Sequence, residues 1–209
     1  MSRLTLVTSR HRWRFDEVSD IGGAASSLRN YLEQSGVRRC LETAARERPI
    51  RAAADVGCGY GRLTPVLTEF APRVAGFERE ETLLAEARRL QPGVEWISVK
   101  DLASLPAPDG AFDFAMTFTV LQHIPDAAAC QVVAELQRVA RGGFLLLVEE
   151  TDPALGAELP RDVPGGTRGR PVETWEQWLA PWRLRLAFPR SIEPGYPRAD
   201  VGTFLLFGS

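Results

Sequence analysis

The run Asp55-Val56-Gly57-Cys58-Gly59-Tyr60-Gly61-Arg62 holds the residues best suited to chemistry. Three glycines at alternate positions follow Ala52-Ala53-Ala54-Asp55-Val56, a short stretch of small residues that reads as a buried strand. Glycine lets a backbone approach a ligand closely, and the start of the following helix offers free N–H groups. A dinucleotide fingerprint would need glycine at the sixth position from Gly57, where Arg62 stands. Asp55 points the same way. A carboxylate beside the loop repels phosphates but can hold a cationic amino group. The ligand implied is a nucleoside with positive charge and no phosphates.

Two more acids end the next strand-like runs. Glu78 can accept hydrogen bonds from both hydroxyls of a ribose. Asp101, or the Leu102 backbone, can meet the exocyclic amine of adenine. Either acid alone is equally a solvated strand end. Acids at three successive strand ends make that plain reading less economical.

These residues need a scaffold. Apolar spacing predicts a helix over residues 26–46, broken in two at Gly36. Strands are expected at 52–56, 74–78, 94–99, 112–118 and 143–149. Helices are expected after the glycine loop, at 83–90 and at about 127–139. Such alternation calls for a parallel sheet with right-handed crossovers. Beyond a Pro- and Gly-rich loop over 152–171, a short helix at 175–179 capped by Thr174 precedes strands at 182–188 and 203–207. Those last two can pair antiparallel.

The series Asp55 to Gly61, Glu78, Asp101, Phe112-Asp113-Phe114 and Leu121-Gln122-His123-Ile124 resembles the motifs of class I S-adenosylmethionine-dependent methyltransferases. The branch it is most similar to includes ubiquinone/menaquinone-type and other small-molecule methyltransferases. The resemblance covers about residues 45–150. It implies an α/β, three-layer Rossmann-like sandwich: a mostly parallel seven-stranded sheet in the order 3-2-1-4-5-7-6, with the last strand antiparallel. It also implies one domain over 1–209. In that domain, 1–45 is a helical arm or lid, 46–150 the cofactor-binding core and 151–209 the acceptor-side loop and last strand pair.

The resemblance assigns roles residue by residue. Gly57, Cys58, Gly59 and Gly61 would line the methionine part of the cofactor, and Asp55 would hold its amino group. Glu78 would bind the ribose. Phe77 and Arg79 would flank the adenine, and Asp101 and Leu102 would reach its edge. Thr117 and Phe118 would lie along the methionine, the Phe118 ring able to face the sulfonium. Catalytic candidates are His123, as a base or as a structural histidine, and Glu149 and Glu150, as acceptor-orienting acids or a solvated acidic turn. Trp13, Phe15 and Tyr31 are candidates to close over the cofactor, with His11 in the same arm. Arg168 and Arg170 read as a solvated loop or as contacts for an acidic substrate.

The expected function is methyl transfer from S-adenosylmethionine to an oxygen or nitrogen of a small-molecule acceptor, with S-adenosylhomocysteine as product. The alternatives are other chemistry on the same fold and a non-catalytic binding module. Composition agrees with a globular enzyme. The chain has 209 residues, 44% of them hydrophobic, 25% charged, and a net charge of -2. That charge balance argues against a nucleic-acid partner. Cys40, Cys58 and Cys130 form no pair with zinc or disulfide spacing, so no metal is expected and a cytoplasmic setting fits. No run is long enough to cross a membrane. Lys100 is the one lysine among 25 basic residues, a bias suggesting a bacterial source. A shallow acceptor pocket could be completed by a second subunit, so a homodimer is expected as one option.

Overall fold

The computed structural model describes residues 23–157, 166–190 and 202–209, with side chains from residue 30 onward. Its elements are α1 Gly23–Glu47, β1 Ala52–Val56, α2 Thr64–Thr68, β2 Arg73–Glu78, α3 Glu81–Leu90 and β3 Glu95–Ser98. They continue with β4 Phe114–Phe118, a single 3-10 turn Leu121–His123, α4 Asp126–Val139, β5 Phe144–Glu149, α5 Val172–Leu179, β6 Arg183–Pro189 and β7 Thr203–Gly208.

The seven strands form one sheet in the order β3-β2-β1-β4-β5-β7-β6. Strands β1 to β5 pair in parallel, and β7 runs antiparallel to both β5 and β6. This is the expected sheet. Its central strands are apolar on both faces because both faces are covered. Ala52, Ala54 and Val56 of β1 face the layer made by α4 and α5. Ala53 faces the layer containing α1 and α2. Strand β5 divides likewise, Leu145 and Leu147 to one core and Phe144, Leu146 and Val148 to the other.

Three local expectations are corrected. Gly36 does not break a helix: α1 is continuous through it. A Cβ at Gly36 would stand 2.3 Å from the tip of the Phe204 ring. The glycine is there so that α1 can press against β7. Thr174 does not cap α5, which starts two residues earlier behind Pro171. Strand β4 begins at Phe114, because Asp113 is spent on the neighbouring strand: its Oδ2 accepts from the N–H groups of Arg51 and Ala52 (2.8 and 3.0 Å).

Among the described residues no helix is long and apolar enough to cross a membrane. His11, Trp13 and Phe15 lie outside the described residues.

The Phe204 ring has little room to retreat. It is fully buried, stacked on Phe188 at 4.7 Å and edge-on to Phe118. Gly36→Ala should therefore destabilise the chain by about 1–3 kcal/mol from overpacking, outweighing the gain of about 1 kcal/mol in helix propensity. Urea denaturation of the two proteins checks the sign.

Candidate active site

The carboxyl ends of β1, β2, β4 and β5 converge on one rim of the sheet. The loop after β1 is anchored by two N–H groups, of Gly57 and Cys58, which both donate to the Phe77 carbonyl (2.8 and 3.1 Å). Its three glycines all have positive φ, 76°, 57° and 78°. Their surroundings differ. A Cβ at Gly57 would lie 2.6 Å from Val120, and one at Gly61 would lie 2.4 Å from the Trp96 indole. A Cβ at Gly59 would meet nothing within 4 Å. Two glycines are thus fixed by packing, and the middle one faces an open bay.

Asp55, two residues before the loop, is almost fully buried and accepts a 2.6 Å hydrogen bond from the Thr64 hydroxyl. Burial pushes its carboxyl up to about 7, with Thr64 pulling the other way. Glu78 reaches back across the loop. Its Oε2 accepts from Gly59 N–H (2.9 Å) and its Oε1 from the N–H groups of Arg79 and Glu80 (2.7 and 3.1 Å). A carboxylate oxygen has two lone-pair directions, so Oε2 retains one toward the bay. Asp101 is exposed and accepts from Ala103 N–H, and Leu102 is turned into the core. Arg79 is exposed at the rim.

Phe77 is not a wall of the site. It is fully buried and packs edge-on against Phe112 in the core, since alternation turns its side chain below the sheet. Phe118 has the Arg62 guanidinium 5.7 Å from its ring centroid, the position expected for a sulfonium. Cys58 directs its sulfur toward Gly76, and burial raises its thiol well above the ordinary range.

At the far end of the rim the expected acids are inside the protein. Glu149 is fully buried. It accepts from the Thr117 hydroxyl and from the backbone of Val120, Leu121 and Gln122 at 3.0–3.2 Å. Three of these bonds fall on Oε1 and one on Oε2, so the carboxylate is held mainly by the fold. Glu150 is buried too, accepting from Gly202 N–H and lying 3.6 Å from Arg190. His123 is half-buried. Its Nδ1–H donates to the Gly166 carbonyl (3.0 Å), and Nε2 lies 3.4 Å from the Gln122 amide. Burial lowers its pKa, keeping the ring neutral.

Arg168 and Arg170 correct the expectation of a solvated loop: each is only 1% exposed. Arg170 binds the carbonyls of Leu121 and Ile124 and pairs with Asp126, against the Trp175 and Trp178 rings. Tyr31 is exposed.

Sequence reasoning missed two supports. Trp96 of β3 lies across Gly76 to reach Gly61, while the Gln91 side chain donates to the Gly61 carbonyl (2.7 Å). Helix α1 meets Arg62 through Asn30 and Glu33. Glycine in a strand often marks such a close approach, which is the signal Gly76 carried. Among the described residues, no three His, Cys, Asp or Glu side chains gather to hold a metal.

Residues 54–148 match the family model described as a methyltransferase domain. A Mycolicibacterium smegmatis protein named "Probable S-adenosylmethionine-dependent methyltransferase" is 37% identical over 54% of this chain and 43% of its own length. The ubiquinone biosynthesis O-methyltransferase of Methylococcus capsulatus is 33% identical over 66% of this chain and 64% of its own. Among solved structures, magnesium protoporphyrin IX methyltransferase from Synechocystis, crystallised with bound SAM, has a TM-score of 0.64 at 19% identity. That match covers 84% of this chain and 78% of the neighbour. These matches support a class I S-adenosylmethionine-dependent methyltransferase domain over residues 54–148. The chain spans about a third to a half of the length of the first curated relatives it matches, at 31%, 43% and 48%.

Asp55 gives the site a pH signature. Its folded pKa lies above the ordinary carboxylate value, so its contribution to stability is complete below that value and is lost as pH rises through about 7. Asp55→Asn removes this dependence. The stability difference, variant minus wild type, should grow between pH 4 and 7 and then level off. Urea midpoints at pH 4, 6 and 8 measure it.

Proposed function

We propose that the chain transfers a methyl group from S-adenosylmethionine to an oxygen or nitrogen of a small molecule. One observation carries this reading: the open space beside Gly59, whose N–H is held by the carboxylate at the end of β2, in a loop that directly follows the buried carboxylate on β1. The residues fit that cofactor. At position 59 the φ of 57° favours glycine, and the space beside it is open. Asp55 offers a negative charge in a dry setting, suited to an amino group. The relatives' names support the cofactor and leave the acceptor open.

Bound there, S-adenosylmethionine supplies an activated methyl on a sulfonium. The protein's task is then positioning, which can account for about 7–11 kcal/mol of barrier in well-oriented reactions. Asp55, released from the cost of burial by a cationic partner, ionises and fixes the methionine end. Gly59 allows close backbone approach. Glu78 keeps its three backbone bonds and takes one ribose hydroxyl through Oε2. Asp101 and the Leu102 backbone would meet the adenine edge, and Arg79 would flank the ring. The backbone of Thr117 and Phe118 would lie along the methionine part.

At the acceptor end, His123 is the residue we assign to proton handling where the acceptor must lose one. Its Nδ1–H is committed to Gly166, so Nε2 is the nitrogen that can accept. Glu149 and Glu150 act from within the scaffold.

Titration calorimetry with S-adenosylhomocysteine tests the cofactor assignment. Binding is expected, with proton release near pH 7 as Asp55 ionises, visible as a dependence of the heat on buffer. Glu78→Ala should weaken binding about 10- to 100-fold, the loss of a charge-assisted contact plus loosening of the Gly59 amide. Unchanged affinity would remove Glu78 from the ribose site. Incubation with S-adenosylmethionine and an acceptor panel should yield S-adenosylhomocysteine and acceptors heavier by one methyl.

A further inference from the structure

The turn after β4 presents a hydrogen-bonding problem that two charged residues solve. Thr119 leaves the strand in the left-handed region, at φ 55°. The 3-10 turn that follows has no side-chain cap of its own. Its first N–H groups are inside the protein and need acceptors. Glu149 takes three of them, those of Val120, Leu121 and Gln122. Arg170 takes the other polarity, donating to the carbonyls of Leu121 (2.8 Å) and Ile124 (2.7 Å) and to Asp126 (2.9 Å). An anion closes one end of the turn and a cation the other.

The turn touches both halves of the site. On one side Val120 abuts Gly57. On the other, the Gln122 carbonyl accepts from Arg168 N–H (2.9 Å), and His123 bonds Gly166 (3.0 Å). Arg170 N–H also donates to the Glu150 carbonyl (3.0 Å). Burying two charges is a poor route to stability, since apolar replacements of similar volume often serve as well or better. Orientation is what such a pair supplies.

We propose that Glu149 and Arg170 are a pair of positioning residues which clamp the 119–124 turn and so couple the cofactor loop to the acceptor-side 166–170 segment. This rests on the methyl-transfer reading above. The ligand lodged against the glycine loop is then felt at Arg168 and Arg170, though neither touches it.

Hydrogen exchange on the unmodified chain, with and without S-adenosylhomocysteine, reads the coupling without any mutation. The ligand should slow the amides of Val120, Leu121 and Gln122 together with those of Arg168 and Arg170. Slowing confined to the glycine loop overturns the proposal. Glu149→Gln and Arg170→Lys keep the shape and weaken the bonds. Each should lower S-adenosylhomocysteine affinity about tenfold, and the double variant by little more than either alone. Unchanged affinity, or losses that simply add, refutes the clamp. Should the variants unfold, exchange in the unmodified chain decides. If the unmodified chain binds no S-adenosylhomocysteine, the methyl-transfer reading fails. Ligand-free exchange of Arg170→Lys then tests the clamp: faster exchange at Val120, Leu121 and Gln122 supports it, and unaltered rates there reject it.

Discussion

Backbone amides that leave a parallel sheet at its carboxyl edge lose their ladder partners, and in this chain two glutamates take them up. Glu78 binds three N–H groups at the end of β2, one of them in the glycine loop. Glu149 binds three more at the end of β5, all in the turn after β4. Each carboxylate thereby fixes a loop that an unpaired backbone would leave loose. The geometry of the rim follows from where those two side chains reach.

Asp55 has a different role among the strand-end acids. Its hydrogen-bond partner among the described residues is Thr64, and its burial makes ionisation costly. The two glutamates are saturated or nearly so by the fold, whereas Asp55 is better matched by a positive charge from outside. That difference in protein partners separates Asp55 from the two glutamates more clearly than their spacing does.

The far end of the rim is a set of buried charges. Arg170 lies between the turn and two indoles, and Arg168 enters the same interior. The Pro- and Gly-rich composition of 152–171 reads as solvated chain, yet residues 168–170 are turned inward. Composition reports the conformational freedom of a segment and is silent on the orphaned carbonyls that an arginine can satisfy.

Local information in the amino-acid order was enough to determine β1, the glycine loop, α2, the five parallel strands and the acids at their ends. Short continuous apolar runs, small residues and positive-φ glycines act within a few residues of one another. The tertiary structure decided everything that joins distant segments. Gly36 reads as a helix breaker until Phe204 is packed against it; Glu149 reads as a solvated acid until the turn after β4 folds over it. Phe77 left the site and Trp96 entered its support, because which face of a strand a side chain takes depends on what covers that face. Hydrogen-bond satisfaction across the sheet is a property of the assembled rim, and no window along the chain contains it.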